Sequence, residues 1–104
     1  MLTFIESPVF GRLVYEYLDD EEYAALQWAL AEHPEAGDLI PRSGGLRKLR
    51  WKAKNRGKRG GYRVIYYWRN HRGEIWLLTI YDKTEETNIP AHVLRQLKEE
   101  IEHE

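Results

Sequence analysis

The chain has 104 residues, 42% of them hydrophobic, with 16 Lys and Arg against 17 Asp and Glu and no cysteine, which suits one small core and predicts a single domain over residues 1–104. The missing cysteines exclude disulfides, thiolate metal sites and a thiol nucleophile and fit a reducing compartment, and no apolar run approaches the ~20 residues of a membrane span, so a cytoplasmic protein with no membrane partner is expected. The formal net charge of −1 conceals a division into −8 over residues 1–41, +12 over residues 42–73 and −5 over residues 74–104.

Residues 2–5 (LTFI) form a brief run of β-formers stopped by Ser7 and Pro8, and predict a short first strand. Ser7 is suited to accept a helix-terminal N–H while Pro8 takes the first helical position, after which Phe10, Leu13, Val14 and Tyr17 fall on one face. A second helix start follows at Asp19 with Glu22 three residues on, and Tyr23, Leu26, Leu30 and His33 repeat at helical spacing until Pro34. Two helices with almost no loop between them predict an antiparallel pair, whose joint apolar face needs another layer to bury it.

The second half supplies that layer. Residues 46–52 alternate, residues 62–68 are nearly continuous in β-branched and aromatic types, and residues 75–81 (IWLLTIY) are apolar on both faces, as a central strand requires. Residues 69–73 have the length and the glycine of a hairpin loop, so the last two strands are expected to be antiparallel neighbours. Residues 53–61 are glycine-rich, charged and unpatterned, and read as a loop carrying Lys54, Arg56, Lys58 and Arg59. Pro90 opens a last helix with Val93, Leu94, Leu97 and Ile101 in one stripe. The order predicts an α+β fold: a small, mainly antiparallel twisted sheet with two N-terminal helices and one C-terminal helix. All three helices are expected on one face of the sheet, with the other face open and basic.

Residues 42–72 hold 12 of the 16 basic side chains and no carboxylate. Like charges at this density repel one another, and a fold that gathers them is suited to an anionic visitor. Trp51, Tyr62, Tyr66 and Tyr67 are interleaved with the charges and belong to the types that stack on unpaired bases, which favours a nucleic acid. A solvated basic loop or a site for an acidic protein stays open on charge density alone. By strand alternation Lys48 and Arg50 share one face with Leu49 and Trp51 opposite, and Thr79, Tyr81 and Lys83 share another; where the two coincide, they line one concave surface with Arg63. Each also has a purely structural reading: Tyr81 at the rim of the core, Lys83 in a solvated turn, Trp51 and Trp68 in packing. Arg63 resists such a reading. It stands between Tyr62 and Val64 near the start of a buried strand, costly unless paired, with no acid nearby in sequence.

The segments GGLRKLRW (residues 44–51), GKRGGYRVIYYW (residues 57–68) and LLTIYDK (residues 77–83), followed by a Pro-initiated amphipathic helix, resemble the RelE/HigB branch of bacterial type II toxins. The GKRGG loop is most similar to the HigB-like members, and the resemblance covers nearly the whole chain. It implies a small twisted sheet packed on helices, cleavage of messenger RNA in the ribosomal A site with contacts to 16S rRNA, and a HigA-like antitoxin as partner. Position by position, it implies that Arg63 holds the scissile phosphate. Tyr81 and Lys83 match the aromatic and basic residues at the end of the last strand, where relatives often carry Arg in place of Lys83. Lys48 and Arg50 match the basic pair of the second strand, with Lys52 and Lys54 as alternatives in a shifted register. Arg47, Trp51, Arg56, Lys58 and Arg59 would contact RNA or the ribosome. Some relatives have a catalytic Tyr in the last helix; here no aromatic follows Tyr81.

Such cleavage asks for a base on the 2′-hydroxyl, cations on the phosphoryl oxygens and an acid for the leaving 5′-oxygen. His33, His71, His92 and His103 read as ordinary surface or packing residues, so a histidine-independent site is expected. Crowded cations ease loss of a proton from a neighbouring amine or phenol, which makes Lys52, Lys54 or Tyr81 candidates for the base. No metal and no cofactor is expected. A gyrase inhibitor of the same fold, resembling ParE, and a non-catalytic RNA-binding module are the alternatives.

Overall fold

The computed structural model describes residues 2–52, 61–85 and 89–102. The first strand, β1 (Thr3–Glu6), leads directly into α1 (Pro8–Tyr17) through Ser7. The Ser7 hydroxyl accepts the Phe10 N–H at 3.0 Å and donates to the Leu78 carbonyl at 2.7 Å, so one buried group starts the helix and fastens it to the sheet. The next helix, α2 (Asp20–Glu32), opens with a reciprocal capping box between Asp19 and Glu22 and stops at His33, before Pro34. The strands β2 (Asp38–Leu39), β3 (Leu46–Trp51), β4 (Tyr62–Arg69) and β5 (Glu74–Asp82) follow, and α3 (Ala91–Glu102) is the last described element. Sequence patterning located all of these except β2, whose two residues carry no strand signal of their own. The loop expected at residues 53–61 lies, but for Gly61, outside the described residues.

The five-stranded sheet has the order β1-β5-β4-β3-β2, with β1 parallel to β5 and the other neighbours antiparallel. The strand expected at the centre, β5, is an interior strand between β1 and β4, while β4 takes the middle position. Eight of the nine β5 residues are buried, because both faces of this strand are covered. On one face α1 and α2 bring Phe10, Val14, Leu26 and Leu30 against Val64, Tyr66, Ile75, Leu77 and Ile80. On the other, Leu94 and Leu97 of α3 pack against Leu46, Ile65, Trp76, Leu78 and Tyr81. The expectation that all helices share one face is therefore overturned. A strand apolar on both sides needs cover on both, and a bare second face would have left Trp76 and Leu78 in water.

Cations fasten α3 in place. The Lys98 ammonium stands 4.4 Å from the centre of the Tyr67 ring and donates to the Gly44 carbonyl at 3.0 Å, while Arg95 reaches the Arg42 carbonyl at 3.1 Å. The other side has a clamp of its own. The buried Tyr66 hydroxyl accepts the Gly37 N–H at 2.9 Å and donates to the Pro34 carbonyl at 2.7 Å, joining the end of α2 to β4. Gly37 fits only because it lacks a side chain: a Cβ there would stand 2.9 Å from Cε1 of Tyr66 and 3.0 Å from the Lys48 carbonyl oxygen.

Candidate functional site

The register of the sheet assembles three of the expected residues into one row. Arg50 on β3 lies directly opposite Arg63 on β4, and Arg63 directly opposite Tyr81 on β5. Residues paired in this way project to the same side of an antiparallel sheet, with Cβ atoms about 5 Å apart. The neighbouring row is Lys48, Ile65 and Thr79. Ile65 and Tyr81 belong to the α3-side cluster, so both rows lie on the face that α3 partly covers.

A register shift makes this meeting possible. On β5, Ile75 and Leu77 face α1 and α2, and strict alternation would send Thr79 and Tyr81 the same way. Between the pairs Tyr66–Leu77 and Ile65–Thr79, however, Leu78 is an extra residue. This β-bulge exchanges the two faces beyond it, so that Ile80 packs under the helices and Tyr81 comes beside Arg63.

Electrostatics single out Arg63. Only 9% of it is exposed, its guanidinium donates to the Tyr62 carbonyl at 3.2 Å, and the guanidinium of Arg50 stands on the opposed strand. Among the described residues no carboxylate forms a salt bridge with either arginine. A nearly buried cation next to a second cation is costly, and an anion bound between them would remove the cost. Arg50 is exposed and Tyr81 is 7% exposed, so the row runs from solvent into the sheet.

Lys83 lies one residue past β5 on a turn held at several points. Its N–H donates to the Gly61 carbonyl at 3.1 Å. The carboxylate of Asp82 accepts from the N–H and the hydroxyl of Thr84, at 2.8 and 2.7 Å, and the Asp82 carbonyl accepts the Glu85 N–H at 3.0 Å. Asp82 is 1% exposed. Sequence reasoning passed over it, although an Asp two residues before a Thr is a turn signal. Lys52 is exposed just beyond β3. Lys54, Arg56, Lys58 and Arg59 lie outside the described residues.

Two residues expected to touch RNA are turned away from the row. Arg47 lies on the α1 and α2 side, where it donates to the Glu35 and Gly37 carbonyls at 3.2 and 2.8 Å and pairs with the Glu35 carboxylate at 3.6 Å. Trp51 packs against the cluster beneath the same helices. Of the described histidines, His33 caps α2, His71 lies in the turn after β4 and His92 is exposed on α3. The described residues contain no group of His, Cys, Asp and Glu able to hold a metal ion, and no helix among them is long and apolar enough to cross a membrane.

No family model matches the chain. Among solved structures it is similar to a double Arg-to-Ala variant of the E. coli toxin RelE in the free state, with a TM-score of 0.57 and 14% sequence identity over 93% of this chain and 96% of that one. At this level of identity the likeness is one of architecture: the three helices and mixed five-stranded sheet form a RelE-like α+β fold.

Proposed function

We propose that this chain is the toxin of a type II toxin–antitoxin pair and acts in the cytoplasm as a ribosome-dependent endoribonuclease on messenger RNA. The observation that carries the reading is the row Arg50, Arg63 and Tyr81, with a nearly buried guanidinium that no described carboxylate neutralises. Costly charge of this kind is kept where an anion is to be bound. The similar solved structure is described as that of a toxin, which supports the same class for this chain.

In the proposed reaction the substrate's own 2′-hydroxyl attacks the adjacent phosphorus and loses its proton to a base. The bond from phosphorus to the 5′-oxygen breaks, and the departing oxygen takes up a proton. The products are a cyclic phosphate and a 5′-hydroxyl end. Arg63 grips the non-bridging oxygens with its planar fork, a task that Lys performs less well. Arg50 and Lys83 add positive charge as the phosphoryl group gains negative charge, and the Tyr81 hydroxyl hydrogen-bonds to the reacting group. The amine of Lys52 or Lys54, or the phenol of Tyr81, serves as base, and Lys48 adds further positive charge. Arg56, Lys58 and Arg59 dock 16S rRNA, and a HigA-like antitoxin neutralises the whole. Arg47 and Trp51 take no part in the chemistry.

Primer extension on cellular messenger RNA after brief induction tests the proposal. Cuts within translated frames are expected for the wild type, and none for a folded Arg63→Ala variant. Absence of cuts in the wild type together with blocked supercoiling by purified gyrase would replace the proposal with the ParE-like alternative.

A further inference from the structure

The outward face of α2 has a composition that the core does not explain. Tyr23, Leu26 and Leu30 are its buried stripe. Trp28 stands about 160° around the helix from Leu26 and Leu30 at 3.6 residues per turn, and is 70% exposed. Ala24, Ala25 and Ala31 are exposed around it, so the helix is apolar on both sides. A helix with an apolar patch on its solvent side as well as on its core side is suited to a second burial. The charges flanking the stripe have one sign. Glu21 and Glu32 are exposed on the same face, and no Lys or Arg occurs between Arg12 and Arg42.

We infer that this face is a docking surface for an amphipathic helix of another protein, one with an apolar stripe flanked by Lys or Arg. The three alanines let a facing helix approach closely, Trp28 supplies the large anchor, and Glu21 and Glu32 set the charge of the partner. The same carboxylates argue against other occupants. Nucleic acid is repelled, and α2 paired with itself about a two-fold axis would bring carboxylate against carboxylate. The surface lies on the far side of the sheet from Arg50, Arg63 and Tyr81, so the inference stands apart from the RNA-cleavage reading.

A display library of short amphipathic helices, with a fixed leucine stripe and flanking positions randomised among Lys, Gln and Glu, tests it on the full-length protein. Lys should be enriched over Glu in the recovered binders. Trp28→Ala should weaken them by about tenfold or more, and Glu21→Lys/Glu32→Lys should reverse the preference to Glu. All three positions are exposed, so unchanged thermal melts are expected, and Trp28→Gln serves as a second probe if Trp28→Ala melts early. Binders without charge preference, or binders that Trp28→Ala and Trp28→Gln retain, would overturn the inference. So would a wild-type dimer in sedimentation that either Trp28 variant dissolves, since the occupant would then be a second copy of the chain.

Discussion

Replacing Arg63 by Met should remove toxicity and at the same time raise the melting temperature. Arg63 is 9% exposed and faces Arg50 across the β3 and β4 strands. Two unit charges ~6 Å apart repel by about 0.7 kcal/mol at the dielectric constant of water and by about 2.8 kcal/mol at the effective value for near-surface pairs. Burial adds a desolvation cost, of which the hydrogen bond to the Tyr62 carbonyl at 3.2 Å recovers a part. Met keeps the packing of the aliphatic stem and removes the charge. A net gain of about 1 kcal/mol is expected, which for a domain of this size moves the melting temperature up by about 4–8 °C. Thermal denaturation followed by circular dichroism, in chloride and in sulfate at equal ionic strength, measures this. Sulfate should raise the wild type by more than the variant, because binding of an anion to the folded state adds to the general stabilisation that sulfate gives both. A melting temperature at or below that of the wild type in chloride would refute the reasoning, since the guanidinium would then be satisfied within the fold.

Tyr66→Phe should cost about 2–3 kcal/mol, because it strands the buried Gly37 N–H and the Pro34 carbonyl. The melting temperature should fall by about 10–20 °C, with activity retained at temperatures where the variant stays folded. Burial raises the phenol of Tyr66 above its ordinary value of 10.0, and burial together with the hydrogen bond to Glu6 raises that of Tyr23. The folded state therefore keeps protons that the unfolded chain loses. Stability is complete below about pH 10 and declines as the pH rises beyond it, and urea midpoints across that range should fall less steeply in Tyr23→Phe/Tyr66→Phe. Asp82→Ala removes both bonds to Thr84 and loosens the turn that carries Lys83. The single-turnover cleavage rate should drop while ribosome affinity holds, and Asp82→Asn, which keeps the acceptor oxygen, should recover most of the rate.

Local chemistry was enough to locate most elements. Ser7 with Pro8, and Asp19 with Glu22, mark helix starts whatever surrounds them, because a capping side chain and the N–H it accepts lie within three residues. The apolar run of residues 75–81 announced a strand buried on both faces, and the basic stretch from 42 to 72 contained the two arginines that the sheet sets opposite one another. Arg63 stood out for the reason that still distinguishes it, a charge inside a run of apolar neighbours. Tertiary structure decided the rest, because the information lies between segments distant in the chain. The Leu78 bulge appears only when β5 is paired against β4, and it alone brings Tyr81 to the side of Arg63. Arg47 and Arg50 look alike in sequence, yet strand alternation sends one to the Glu35 and Gly37 carbonyls and leaves the other in the row. The side of the sheet taken by α3 follows from the need to cover Trp76 and Leu78. An amphipathic stripe records that a helix must be buried, and which surface buries it is fixed only when the whole core closes.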